Sequence, residues 1–158
     1  MREIGERWAR NEITVADEHF ATNVVTGRLL SLARKWDAGA GPRAVLACPP
    51  GELHTIGLLS FGLSLRAHGW RITYLGADTP LPALARVAET VQPRQIVLAS
   101  VAASVYREAR PALAELAATV PLAIAGDGAG EAIAAEIGAR FLVSDPVTAA
   151  GTIMRLQA

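Results

Sequence analysis

His54 and Glu52 are the residues whose chemistry stands out. They sit in Pro49-Pro50-Gly51-Glu52-Leu53-His54-Thr55, just ahead of a helical apolar pattern that runs from about Thr55 to His68. A histidine at a helix start is poorly placed to be a cation, because the positive end of the helix dipole disfavours the imidazolium. The same position suits a neutral imidazole serving as a metal ligand. Glu52, two residues earlier, can accept the other ring N–H, which fixes the tautomer and raises the basicity of the ligand. No second or third ligand lies nearby in sequence, which speaks against a zinc site chelated by the protein alone. One imidazole with one carboxylate fits a metal whose other positions are filled by a cofactor. The plainer alternative is a loop histidine at the head of a helix.

Two more loops carry unusual residues: Ser100-Val101-Ala102 and Gly126-Asp127-Gly128-Ala129-Gly130. The glycines there are equally well explained by a strand-to-helix turn that needs positive φ. A dinucleotide reading fails at its usual place, because the first strand-to-helix turn is Pro49-Pro50-Gly51-Glu52 rather than G-x-G-x-x-G. NAD and FAD are thereby disfavoured.

The elements that must position these loops follow a regular grammar. Short apolar runs begin at Ala44, Arg71, Gln95, Leu122 and Arg140, and each is followed by a helical pattern. Five short buried strands alternating with helices predict βαβ units and a parallel sheet. The expected fold is α/β: a five-stranded, Rossmann-like domain of flavodoxin-like order 2-1-3-4-5 spanning residues 43–158. Its ligands belong beyond the carboxyl ends of the strands, where the order reverses between strands one and three. All three unusual loops fall on that edge. Ahead of it, residues 1–37 read as part of a helical bundle. Thr14 starts a helix running to about Trp36, with Asp17 three residues on in the first turn, where a carboxylate suits the helix dipole, and Ala38-Gly-Ala-Gly-Pro-Arg43 is a linker. The remaining His68, Cys48, Trp36 and Trp70 read as structural, whereas Tyr106, near Ser100, is a weaker candidate for touching a ligand.

Composition narrows the classes. The chain has 158 residues, 51% hydrophobic, with 15 Lys+Arg against 15 Asp+Glu. Balanced charge argues against nucleic-acid binding by this chain, which needs a basic face. A single cysteine excludes a disulfide framework. There is no long apolar run and the first ten residues are charged, so no membrane span or signal is expected, and the location expected is the cytoplasm.

Taken together, the three loops resemble those of cobalamin-binding Rossmann-like domains, which carry D-x-H-x-x-G, then S-x-L after roughly forty residues, then G-G. Here the stretch reads Glu52-x-His54-x-x-Gly57, followed by Ser100-Val101-Ala102 and Gly126-Asp127-Gly128. Glu stands for Asp, Ala102 for Leu, and Asp127 interrupts the glycine pair. The resemblance implies that His54 is the lower cobalt ligand, with the nucleotide tail of the cofactor beside Gly57, Ser100, Val101, Gly126 and Gly128. Trp8 and Glu18-His19, with Gly5-Glu-Arg-Trp8, Ile13 to His19, Pro50 to His54 and Leu75-Gly-Ala-Asp-Thr-Pro80, resemble the sensory domain of MerR-type, cobalamin-dependent, light-sensing transcriptional regulators. That implies adenosylcobalamin, with methylcobalamin or hydroxocobalamin as alternatives, and places Trp8, Val15, Glu18 and His19 on its upper face. Ala9 stands where some of these photoreceptors have a second histidine, so a bis-histidine state would have to use His19.

The resulting expectation is a non-enzymatic cobalamin-binding sensory module that answers to light or cofactor state. It signals through a homo-oligomer or a separate partner chain, because the cap is shorter than in the regulators and a DNA-binding domain is not recognisable. The alternative is the corrinoid carrier subunit of a methyltransferase or mutase. A cofactor-free, response-regulator-like domain ranks below both, since no acidic cluster follows strand one.

Overall fold

The computed structural model describes residues 14–143 and 145–155. The chain divides into two compact units, Met1–Arg34 and Lys35–Ala158. In the first, helix α1 (Val15–Leu32) opens with a reciprocal cap: Asp17 N–H donates to the Thr14 hydroxyl, and the Asp17 carboxylate accepts from Thr14 N–H. This satisfies donors that a helix start leaves without partners. No residue of α1 is buried, and Val15, Phe20, Val24, Leu30 and Leu32 are exposed.

The second unit alternates strand and helix: β1 (Arg43–Ala47), α2 (Ile56–Ala67), β2 (Arg71–Gly76), α3 (Leu81–Val91), β3 (Gln95–Ala99), α4 (Ala103–Ala117), β4 (Leu122–Ala125), α5 (Glu131–Ile137), β5 (Arg140–Phe141) and α6 (Pro146–Arg155). All pairings are parallel and the order is β2-β1-β3-β4-β5. The expected topology is therefore the observed one. β5 stops at Phe141, short of the expected Val143. Side chains alternate across the sheet as strand geometry requires. Val45, Ala47, Ile96, Leu98, Leu122 and Ile124 pack against Leu84, Tyr106, Leu113 and Ile137 from α3, α4 and α5. The opposite face is covered by α2 and α6, which lie against one another.

Two aromatic residues depart from their expected places. The helix begun at Thr14 ends at Leu32 rather than Trp36, and Lys35 turns into the left-handed region at φ 62°. Trp36 is instead buried in the second unit, its ring edge-on to Tyr74 at 5.6 Å. A Cβ at Gly62 would come within 2.8 Å of both Trp36 and Leu46, so the glycine of α2 makes room for the indole. Tyr106 is fully buried, and its hydroxyl donates toward the carbonyls of Leu98 and Ala125. It is a core residue that ties the ends of β3 and β4 together, not a residue that faces a ligand.

Candidate functional site

The carboxyl ends of β1 and β3 are neighbours in the sheet, but the chain leaves them in different directions, β1 toward β2 and β3 toward β4. Residues 48–55 follow β1. Cys48 N–H donates to the Gly76 carbonyl, continuing the β1–β2 ladder past a register shift between Leu46 and Ala47. Glu52 N–H closes a turn onto the Pro49 carbonyl, and Gly51 takes φ +81° within it. That turn drives the Glu52 side chain inward while leaving His54 outside: Glu52 is 2% exposed, whereas the His54 side chain is 73% exposed.

Glu52 is the hub. Its Oε1 accepts from His54 N–H at 2.8 Å and lies 2.6 Å from His54 Nδ1; its Oε2 accepts from the Ser100 hydroxyl and from Val101 N–H, both at 2.7 Å. One carboxylate thus joins the β1 loop to the β3 loop. Burial alone raises a carboxyl pKa, but four converging donors outweigh it: the His54 and Val101 amides, the Ser100 hydroxyl and the His54 ring. The pKa falls to about 2, so Glu52 is ionised at neutral pH and can only accept hydrogen bonds. Nδ1 of a neutral His54 must then carry the proton. The Nε2 lone pair is left for another partner, and Nε2 makes no hydrogen bond among the described residues.

The β3 loop is held in turn by β4. Gly128 N–H donates to the Ser100 carbonyl, and Ser100 N–H donates to the Ala125 carbonyl. A Cβ on Gly126, whose φ is +90°, would lie 2.3 Å from the Ser100 carbonyl oxygen, and one on Gly128 would lie 2.5 Å from the Ala102 backbone. Both glycines let the two loops approach. Gly57 opens α2, where a Cβ would sit 3.8 Å from Pro146 of α6. The structure thereby brings Glu52, His54, Ser100, Val101, Gly126 and Gly128 together on one edge of the sheet, with Gly57 at the adjoining helix start. The hollow of about 530 Å³ between α3 and α4 is lined by none of these residues.

Of the remaining candidates, Trp8 lies outside the described residues. Val15, Glu18 and His19 lie on α1, where His19 Nε2 is 3.7 Å from Glu18 Oε2 and Glu18 also accepts from the Thr22 hydroxyl. Sequence reasoning missed the bridge to Val101, which is a backbone contact, and the part played by Asp78, whose carboxylate accepts from Gly51 N–H at 2.8 Å. The sequence pointed to Asp78 only through the Leu75-Gly-Ala-Asp-Thr-Pro80 stretch of the resemblance, without a role for its carboxylate. Cys48 is buried and its thiol is pushed up to about 12 by that burial and by the Glu52 charge, so it is protonated at neutral pH.

No group of three or more His, Cys, Asp or Glu is gathered to hold a metal ion among the described residues. The donor set instead fits one axial position of a metal that brings its other ligands with it: a single imidazole, exposed, with its tautomer set by a buried carboxylate. The same two loops leave the apolar Leu53 and Val101 exposed.

Comparison with known proteins gives this donor set a context. A family model described as a B12 binding domain matches residues 42–143, and a second model of the same description matches residues 1–32. The HTH-type transcriptional repressor CarA of Myxococcus xanthus is 38% identical in an alignment that covers 91% of this chain and 50% of the repressor. The repressor CarH of the same organism is 36% identical, covering 75% of this chain and 40% of its own. The chain thus spans about half the length of the curated relatives it matches. Among solved structures, the monomethylamine corrinoid protein of Methanosarcina barkeri superposes with a TM-score of 0.77 at 18% identity, covering 98% of this chain and 77% of that one. This last likeness speaks for the fold alone. The single-imidazole site, the sheet order and these matches agree: the chain belongs to the B12 binding domain family, and its cofactor is cobalamin.

Proposed function

We propose that this chain is a cobalamin-dependent sensory module, with His54 as the lower cobalt ligand. The observation that carries the ligand assignment is the Glu52–His54 pair, which leaves Nε2 outward on an exposed ring. Bound cobalamin supplies a cobalt–carbon bond whose making and breaking gives a change of state. The chain's own part is to hold an imidazole in one tautomer and to seat the cofactor at the β1–β3 edge, with Gly57, Ser100, Val101, Gly126 and Gly128 around its tail. Two matched relatives are transcriptional repressors, which favours a regulatory over a catalytic role. By resemblance alone, the form is adenosylcobalamin, the stimulus is light, and Trp8, Val15, Glu18 and His19 belong to the adenosyl group. The response is self-association or contact with a partner chain, in the cytoplasm. No helix among the described residues is long and apolar enough to cross a membrane.

Reconstitution with adenosylcobalamin, followed by absorption spectra and sedimentation in the dark and after illumination, tests this reading. A spectrum that shifts on illumination, with a change in sedimentation, supports it. A chain that retains no corrinoid, or a His54→Ala variant with an unchanged bound spectrum, refutes it. The corrinoid-carrier reading draws on the likeness in fold to the monomethylamine corrinoid protein. Preference for methylcobalamin with no response to light would favour it.

A further inference from the structure

Resting on the assignment of His54 as the cobalt ligand, we infer that Asp78 is a positioning residue for that ligand: the clip that sets the shape of the Gly51–His54 segment. Asp78 engages the segment from two sides. Its carboxylate accepts from Gly51 N–H at 2.8 Å, and its own N–H donates to the Glu52 carbonyl at 2.9 Å. The residue is exposed, so it contributes nothing to the core. Yet it holds φ +46°, in the left-handed region that few side chains adopt and that aspartate and asparagine tolerate best. Such a conformation persists where surrounding contacts over-determine it. Its side-chain contact and its N–H both lead to the loop that carries Glu52 and His54. Opposite it, Gly51 takes φ +81°, so the two bonds span a paired left-handed turn.

The neighbouring links separate this function from general loop folding. Cys48 N–H to the Gly76 carbonyl and Thr79 N–H to the Cys48 carbonyl are backbone bonds, independent of the Asp78 side chain. Losing the carboxylate releases the Gly51 amide while these bonds, and the anchors of Glu52 on Ser100 and Val101, stay in place. The Glu52–His54 pair is then held from the Ser100 and Val101 side alone, and its backbone is no longer fixed from the Asp78 side chain.

Two substitutions isolate the effect. Asp78→Gly keeps the left-handed backbone and removes the acceptor; Asp78→Asn keeps an acceptor and removes the charge. Amide hydrogen exchange on the full chain without cofactor reads the clip directly. We expect Gly51 N–H to exchange about tenfold faster in Asp78→Gly and near the original rate in Asp78→Asn, as follows from losing one hydrogen bond to a charged group. Reconstitution with cob(II)alamin in chain labelled with ¹⁵N-histidine reads the consequence. The axial-nitrogen splitting reports the fraction of cobalt ligated by histidine, which falls about tenfold in its equilibrium constant for Asp78→Gly and is rescued in Asp78→Asn. Unchanged Gly51 exchange in Asp78→Gly overturns the clip, as does equal loss of ligation in both variants. If Asp78→Gly retains no cobalamin at all, rescue by Asp78→Asn supports the clip and failure of that rescue overturns it. An original chain that binds cobalamin without a histidine nitrogen refutes the His54 assignment instead, and the exchange result still judges the clip.

Discussion

Replacing Glu52 by glutamine is the most informative single change. The side chains match in shape, so the effect is one of charge and hydrogen-bonding polarity. Four donors converge on the carboxylate, two at each oxygen. Glutamine has one accepting oxygen and one NH₂ group, so it serves either His54 or the Ser100–Val101 pair. With its oxygen toward His54, its NH₂ group opposes Val101 N–H. With its NH₂ group toward His54, Nδ1 must accept, and the ring proton moves to Nε2, the atom proposed as the metal ligand. Either arrangement costs. The pKa of Glu52 lies at about 2, against an ordinary 4.5. At about 1.4 kcal/mol per unit, the folded state favours the ionised carboxylate by roughly 3 kcal/mol. Loss of two charge-assisted bonds leads to a similar figure. We expect Glu52→Gln to lower the unfolding free energy of the cofactor-free chain by about 2–4 kcal/mol at pH 7, read from urea denaturation. Because the folded pKa is depressed, that stabilisation is complete above about 4.5 and is lost as pH falls toward 2. The gap between the original chain and the glutamine variant should therefore close over that window. A gap below about 0.5 kcal/mol at pH 7, or one that widens on acidification, would refute the reasoning.

Other changes separate the site from the core. Gly126→Ala forces a Cβ toward the Ser100 carbonyl at a positive φ; we expect a loss of about 2–4 kcal/mol by denaturation, with weakened cobalamin retention, because the Ser100 loop must move. Tyr106→Phe removes the hydroxyl that bonds the Leu98 and Ala125 carbonyls; it should cost about 1 kcal/mol and leave the bound-cobalamin spectrum unchanged. Gly62→Ala pushes into Trp36 and Leu46, and should lower stability by about 1–3 kcal/mol without altering ligation.

The architecture was legible because its signals are local. A strand covered on both faces must be apolar throughout, as Ala44–Cys48 is, and Gly69 just past the end of α2 takes the positive φ that a helix stop calls for. The Glu52–His54 contact was legible because a helix start and a carboxylate two residues away are both written in the chain. What escaped depends on distant partners. Trp36 looked like the end of a helix because the glycine that admits its ring, Gly62, belongs to a later element. Ser100 read only as a small residue beside a cofactor tail, since nothing local shows that its hydroxyl meets Glu52 across 48 positions of sequence. That the glycines at 126 and 128 admit the close approach of the Ser100–Ala102 backbone is visible only in the folded chain.

A bridge at this position has a consequence for how the site works. Strands β1 and β3 part at the switch point, which is where open α/β sheets take their ligands. Glu52 spans that gap at its base. An ionised carboxylate there, removed from water, would cost several kcal/mol unless fully paired, and it is paired four ways. His54 is consequently oriented by an oxygen of the same carboxylate that fixes Ser100 and Val101. Those residues are pinned by Gly126 and Gly128, which have no room to yield. What is held firmly is the carboxylate that orients the imidazole. A swing of the His54 ring gives up the Nδ1 contact to Oε1, whereas a displacement of the Glu52 carboxylate needs all four contacts to break together.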